Sequence, residues 1–272
     1  MIATTASPAI TAKAGGSVFR DSGLIAGRYL RVLWMNPGRL IYPLVQPLIL
    51  LVLFISVFGN LAAGTHPQPG AYRQFLIPGI IIQNAALTAP ITGLALLRDA
   101  SSGLADRFRS LPMSRAAVLI GRLRSDAVVF SAQAVLLLLV ALAFGFVVTA
   151  GPLGAVAIVV VSVAFGLSIS VASACLALLI KDPETAERVL YFPAIGLSFV
   201  SSAYAPVAYL AGWMQPIARV SPVTAAANLI RAIAGGGGTA ATAWPAFVLG
   251  CWVVGLISVT GTVAVRRWSA SP

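Results

Sequence analysis

The sequence predicts an all-α integral membrane protein with six transmembrane helices, and three observations carry that expectation. Hydrophobic residues fill 59% of the 272 positions and charged residues only 9%, with a mean hydropathy of +0.95. Soluble domains carry about 25% charged residues, and one soluble core could not bury this much apolar surface, so the bilayer is the solvent for most of the chain. The apolar residues also lie in charge-free runs of membrane-crossing length, and the basic residues crowd into alternate connectors.

The runs are read in order. The first 20 residues hold Lys13 and Arg20 but no apolar core of a signal peptide, so the amino terminus is expected inside the cell. Within 1–39, residues 17–38 fit an amphipathic helix in the interface: Ile25, Tyr29, Val32 and Leu33 share a face, and Asn36-Pro37-Gly38 ends the run. The alternative is a plain leader. The first span is expected at about 41–60 and the second at 74–97, between Arg73 and Arg98. The apolar stretch 127–180 is too long for one crossing of about 20 residues, and Gly151-Pro152 divides it into a third and fourth. A fifth follows at about 189–207 and a sixth at 244–265.

Six spans place both termini on one side, and charge says which. All Lys and Arg except Arg73, Arg219 and Arg231 fall in 1–39, 98–126, 181–188 and 266–272, and so do all seven acids. The basic side is cytoplasmic by the positive-inside rule. The net charge of +11 is thus topological and points to no nucleic-acid partner. The spans are expected to hold no ion, which disfavours a proton-driven carrier with a buried acid or histidine.

Three further segments invite functional readings. In the loop 98–126, Leu104, Phe108 and Leu111 share one face of a short helix that Pro112 ends, while Asp106, Arg107 and Arg109 cover the rest. Such a stripe suits docking into another protein's groove, or else rests on the membrane surface. The outer segment 205–238 is too apolar for an ordinary loop. Ser221 and Pro222 start a helix there and Gly235 stops it, with Thr224, Asn228 and Arg231 on one face. It reads as a re-entrant helix beside an exit path, since irregular backbone at membrane depth needs protein or a water-filled cavity around it. In the fourth span, Ser162, Gly166, Ser170 and Ala174 form a small-residue stripe, either an intramolecular seam or a subunit interface. Gln83 and Asn84 in the second span either line a substrate path or bond to a neighbouring helix.

Catalytic and ligand motifs do not emerge. Lys13 follows Ala12 and Lys181 follows Ile180, so neither fits a phosphate-binding Gly-Lys-Ser/Thr loop. Cys175 and Cys251 sit apart in apolar runs, and His66 is the only histidine. No metal or directly bound cofactor is expected. If ATP powers the protein, another chain hydrolyses it.

Three stretches resemble the type-2 ABC exporter permeases, specifically the daunorubicin-resistance branch. They are Leu76-Ile77-Pro78-Gly79 with Gln83; Arg98-Asp99, Gly103, Asp106 to Pro112, Arg115, Gly121-Arg122-Leu123 and Asp126; and Gly212 to Ile217, Pro222-Val223-Thr224 and Arg231-Ala232. The similarity covers about residues 20–267. The resemblance implies an elbow helix before six spans over 40–268, a cytoplasmic coupling helix near 102–112 and re-entrant helices on the outer side. It implies ABC ATPase subunits that hold ATP and Mg, paired with a second permease copy or a sister permease in a bacterial plasma membrane. ATPase coupling would then fall to Asp99, Gly103, Leu104, Arg107, Phe108, Arg109, Leu111 and Pro112. The cargo would be a drug or lipid; a lipid-linked polysaccharide ranks second, and a membrane-embedded enzyme or scaffold third. Ala100, Ser101 and Ser102 stand where the family often carries an acid before Gly103.

Overall fold

A computed structural model of the chain describes residues 38–63, 70–101, 115–177, 179–180 and 182–269, together with isolated positions between 23 and 36. The interfacial helix expected at 17–38 falls largely outside the described residues, and the helix expected near 102–112 falls wholly outside them. The described residues are helical and contain no strand.

Among the described residues nine α-helices follow one another: α1 (Gly38–Ala63), α2 (Ala71–Thr88), α3 (Pro90–Ser101), α4 (Arg115–Ala143), α5 (Gly151–Ala177), α6 (Pro183–Phe199), α7 (Met214–Val220), α8 (Pro222–Ala234) and α9 (Thr239–Ser269), with a 3₁₀ turn at Val207–Tyr209 before α7. Among the described residues, three helical stretches are long and apolar enough to cross a membrane: Ala71–Arg98, Ile120–Ala143 and Gly151–Ala177. Shorter apolar helical stretches run over Ile41–Val57, Pro222–Ala234 and Ala240–Leu256. The core sits between α2 and α5, where Leu76, Ile77, Ile80, Ile82, Ile158, Phe165, Val223 and Ile230 are all but fully buried. α5 packs on α2, α3, α4, α8 and α9. Large apolar side chains on the outer faces of α1, α4, α5, α6 and α9 stay exposed, as a lipid-facing surface requires.

Several boundaries depart from the sequence reading for local reasons. The stretch 74–97 is two helices in series, because Pro90 has no N–H and its ring displaces the preceding turn. The break is repaired from α5. Ser173 Oγ accepts from Gly93 N at 3.2 Å, and its proton is shared between the carbonyls of Ala89 (3.1 Å) and Ser170 (2.9 Å). The turn between α4 and α5 occupies 144–150, with Gly145 and Gly151 both at positive φ. α6 begins six residues earlier than expected. Asp182 accepts from Thr185 N at 2.8 Å, and Pro183 stands at the first position. Those bonds hold the exposed Asp182 carboxyl below its ordinary pKa. α6 then ends at Phe199, and residues 200–206 leave the helix yet stay mostly buried, with Ser201, Ser202, Ala203 and Tyr204 inside the fold.

On the side away from the 102–114 connector, three helix ends are closed by side chains. Arg73 Nη1 donates to Phe144 O at 2.9 Å, Thr149 donates twice to Ala234 O at 2.8 Å, and Trp252 Nε1 donates to Val220 O at 2.8 Å. Terminal carbonyls of α4, α8 and α7 therefore have partners without reaching solvent. Ser221 precedes Pro222 as expected, but its hydroxyl makes no capping bond.

Gly79 carries the closest approach. A Cβ there would overlap the Ala203 carbonyl, whereas at Gly196 on α6 it would meet nothing within 4 Å. Because backbone cannot swing aside, Gly79→Ala should cost about 3 kcal/mol or more and Gly196→Ala essentially nothing. Thermal unfolding of the two variants in detergent micelles measures the difference, and equal midpoints would refute the packing argument.

Candidate transport site

A cavity of about 210 Å³ opens between α1, α2 and α6. α1 contributes Tyr42, Pro43, Gln46, Pro47 and Leu50; α2 contributes Gln83, Asn84, Leu87 and Thr88; α6 contributes Tyr191 and Ile195, and Ile91 of α3 completes the lining. None of these side chains carries a formal charge. Tyr42 is exposed at the mouth and Gln83 is 1% exposed at the inner end. The two amides at the inner end differ. Asn84 Nδ2 donates to Gln133 Oε1 of α4 at 3.1 Å. The Gln83 amide faces the buried Tyr204 hydroxyl. Both residues singled out in the second span thus line the cavity, and one of them also ties α2 to α4.

Thr224, Asn228 and Arg231 also meet in space, but around protein. Thr224 Oγ1 accepts from Ser202 N at 2.9 Å. Arg231 donates from Nε to Phe75 O (2.9 Å), from Nη1 to Ser202 Oγ (3.0 Å) and Asn228 Oδ1 (2.7 Å), and from Nη2 to Ser202 O (2.6 Å). Its guanidinium lies 3.7 Å over the Phe75 ring, a cation–π contact. The three side chains clasp the irregular 200–206 segment and the start of α2. Tyr72 adds a 3.3 Å bond to Tyr204 O.

The small-residue stripe of α5 is buried within the chain. Ser162, Ser170 and Ala174 are at most 2% exposed. A Cβ at Gly166 would stand 3.0 Å from the Phe130 ring of α4. About two turns further along α5, a Cβ at Gly93 of α3 would overlap the α5 backbone at Ser173. Of the residues proposed for coupling, only Asp99 is described, in the last turn of α3; Gly103, Leu104, Arg107, Phe108, Arg109, Leu111 and Pro112 lie outside the described residues.

One cluster escaped the sequence reading. The sequence pattern puts Asp126 at the edge of the cytoplasmic loop and predicts spans that hold no ion. Instead Asp126 lies well inside α4 and is 6% exposed. Thr92 of α3 donates to Asp126 Oδ2 at 2.6 Å, Arg122 Nε lies 3.2 Å from Oδ1, and Ser170 Oγ stands 3.3 Å from the Thr92 hydroxyl. The carboxylate is tolerated because a cation one turn back and a hydroxyl from the facing helix cover it. The i, i+4 spacing of Arg122 and Asp126 was the available signal.

With this geometry in place, the family comparison is decisive. Residues 22–234 match the family model described as ABC-2 type transporter. The chain belongs to the ABC-2 type transporter family. This ABC-2 permease is 30% identical over 232 residues, 85% of its length and 80% of the relative's, to the daunorubicin resistance ABC transporter permease protein DrrB1 of Streptomyces coeruleorubidus. It is 27% identical over 194 residues, 71% of its length and 69% of the relative's, to the probable doxorubicin resistance ABC transporter permease protein DrrC of Mycobacterium tuberculosis. A putative transport permease, ycf38 of Porphyra purpurea, is 27% identical over 214 residues, 77% and 72% of the two chains. The permease is therefore a multi-pass membrane protein and the membrane subunit of an ABC exporter, a class that moves cargo rather than splitting nucleotide.

The buried carboxylate gives a stability test. Asp126→Ala leaves the Arg122 guanidinium without its counter-ion and should cost about 3–5 kcal/mol. Replacing both, Arg122→Met with Asp126→Leu, should recover most of the loss. Midpoints of thermal unfolding in micelles decide, and a double variant no better than the single one would remove the ion pair from the account.

Proposed function

We propose that this permease exports hydrophobic or amphipathic compounds, drugs or lipids, across a bacterial plasma membrane, with ATP and Mg bound by separate ABC ATPase subunits. The observation that carries the reading is an uncharged cavity, open between helices, in a chain of the ABC-2 family. Two of its relatives are named for resistance to daunorubicin and doxorubicin, which supports a drug-like cargo. In this reading α1, the α2–α3 pair, α4, α5, α6 and α9 are the six spans, both termini are cytoplasmic, and the elbow helix precedes α1. α7 and α8 are the re-entrant pair, and a second copy or a sister permease completes the pore.

The force enters through the connector between α3 and α4. Leu104, Phe108 and Leu111 seat in a groove of the ATPase, while Asp99, Arg107 and Arg109 flank the contact and Gly103 and Pro112 bound the helix. Gln83 and Asn84 receive cargo from the inner half. Thr224, Asn228 and Arg231 border the outer path through the segment they clasp. The placement of Thr92, Asp126 and Ser170 supports this route: α3 and α4, the two legs of the connector, are joined to each other and to α5. A lipid-linked polysaccharide is the second reading. It would favour an aromatic-lined groove, and only Tyr42 and Tyr191 are aromatic in the cavity lining.

Phe108→Asp places a charge on the docking face. The variant should insert into membranes at the wild-type level and lose co-purification of the ATPase subunit. Quantitative mass spectrometry of affinity-purified complexes reads both, and undiminished ATPase recovery would exclude the docking role.

A further inference from the structure

Of the three basic residues outside the crowded connectors, two are spent on protein. Arg73 donates to Phe144 O, and Arg231 donates to Phe75 O and Ser202 O. Arg219 differs. It stands in the last turn of α7, is exposed, and makes no hydrogen bond, ion pair or ring contact with any described residue. Its depth makes that unusual. Trp252 Nε1 donates to Val220 O, so the end of α7 is level with a point about 12 Å along α9 from Trp244. The α8 side of the same hairpin agrees. Ser202 N donates to Thr224 in the first turn of α8, and the adjoining Ala203 carbonyl meets Gly79, about 12 Å along α2 from Ala71. Trp244, and Trp213 at the opposite end of α7, are exposed, where interfacial aromatics belong. The turn between α7 and α8 lies below Trp244, inside the hydrocarbon. Ile217 and Val220 beside Arg219, and Phe247 on α9, are exposed too, as lipid-facing side chains are.

A cation at that depth is costly unless it is paired or reaches the interface. No Asp or Glu lies in 40–97, in 127–180 or after Glu187. Glu184 and Glu187 pair with Arg188 and Arg98 at the connector end, and Asp126 pairs with Arg122. A second copy in the same orientation brings the same distribution of acids. The counter-ion at α7 must come from the bilayer, whose own anion is the lipid phosphate. We propose that Arg219 binds the phosphate of an anionic phospholipid in the leaflet on the side of the 144–150 turn, with the acyl chains against Ile217, Val220 and α9. The guanidinium fork matches two phosphate oxygens at once, and the arginine stem covers apolar surface on its way to the headgroup. The headgroup is drawn below the level of Trp244, so the leaflet thins beside α7 and α9. A headgroup that carries its own cation, such as choline, already neutralises its phosphate and competes poorly, whereas glycerol leaves the charge free. The site requires only a chain embedded in a bilayer, whatever the cargo and its direction.

The test uses the full-length permease in mild-detergent micelles, titrated with phosphatidylglycerol or phosphatidylcholine of identical acyl chains and followed by native mass spectrometry. The wild type should retain phosphatidylglycerol in preference to phosphatidylcholine. Arg219→Gln should weaken phosphatidylglycerol binding at least about 5-fold and leave phosphatidylcholine within about two-fold. Its thermal midpoint should match the wild type, since Arg219 holds no protein contact. Arg219→Lys, which keeps the charge but not the fork, should fall between the two. Arg188→Gln, which removes one cation at the connector end, should bind phosphatidylglycerol as the wild type does. Inorganic phosphate, the same anion without acyl chains, should not displace the lipid. Wild-type phosphatidylglycerol binding by Arg219→Gln overturns the assignment. Equal weakening by Arg188→Gln does so too, because the effect is then one of net charge. Displacement by inorganic phosphate would open Arg219 to water rather than lipid, and an Arg219→Gln variant that melts earlier or fails to fold would give the arginine a structural role; either result also overturns it.

Discussion

Everything in this fold answers to one constraint: hydrocarbon offers backbone groups no hydrogen bonds, so every departure from helix must be repaired by protein. Among the described residues, two departures from helix inside the core are each repaired by a different element. At Ala89–Pro90 the repair is one hydroxyl, Ser173, inserted between the Ala89 carbonyl and the Gly93 amide. At 200–206 it is a set of side chains from α2 and α8, with Arg231 supplying most of the donors. Close approach is the condition for both, and glycine provides it: Gly93 against α5 and Gly79 against Ala203.

These repairs set what can move with what. α2 is held to the 200–206 segment by Tyr72 and Gly79 directly and by Phe75 through Arg231, and α3 is held to α5 and α4 through Ser173, Thr92 and Asp126. Between the two attachments lies a proline break. Two rigid bodies joined at a break can change angle at low cost, whereas an unbroken 31-residue helix over 71–101 would have to bend throughout. The cavity lies at that junction, lined by residues from both sides of the break, Gln83, Asn84, Leu87 and Thr88 from α2 and Ile91 from α3.

The helical class, the crowded basic connectors and most helix positions were legible in the sequence, because hydropathy and charge are properties of single segments. Pro222 and Gly235 marked α8 to the residue. What stayed hidden depends on pairs of segments. Asp126 looked like a loop residue because its own neighbourhood holds Arg122 and Arg124; its burial is decided by Thr92 and Ser170 on other helices. Arg231 looked like the polar face of an exit path, yet its donors are spent on the backbone of α2 and the 200–206 segment. The end of α6 at Phe199 was invisible for the same reason, since the apolar run through Ala203 continues without a breaker.

The contrast between the two buried amides follows from position. Asn84 and Gln83 are adjacent, so their side chains leave α2 about 100° apart. One direction meets α4, where Gln133 supplies an acceptor. The other meets the buried hydroxyl of Tyr204 in the 200–206 segment. An apolar residue at 83 would leave the buried Tyr204 hydroxyl without a polar neighbour, so the glutamine belongs with Thr224 and Arg231 among the side chains that accommodate the irregular 200–206 segment.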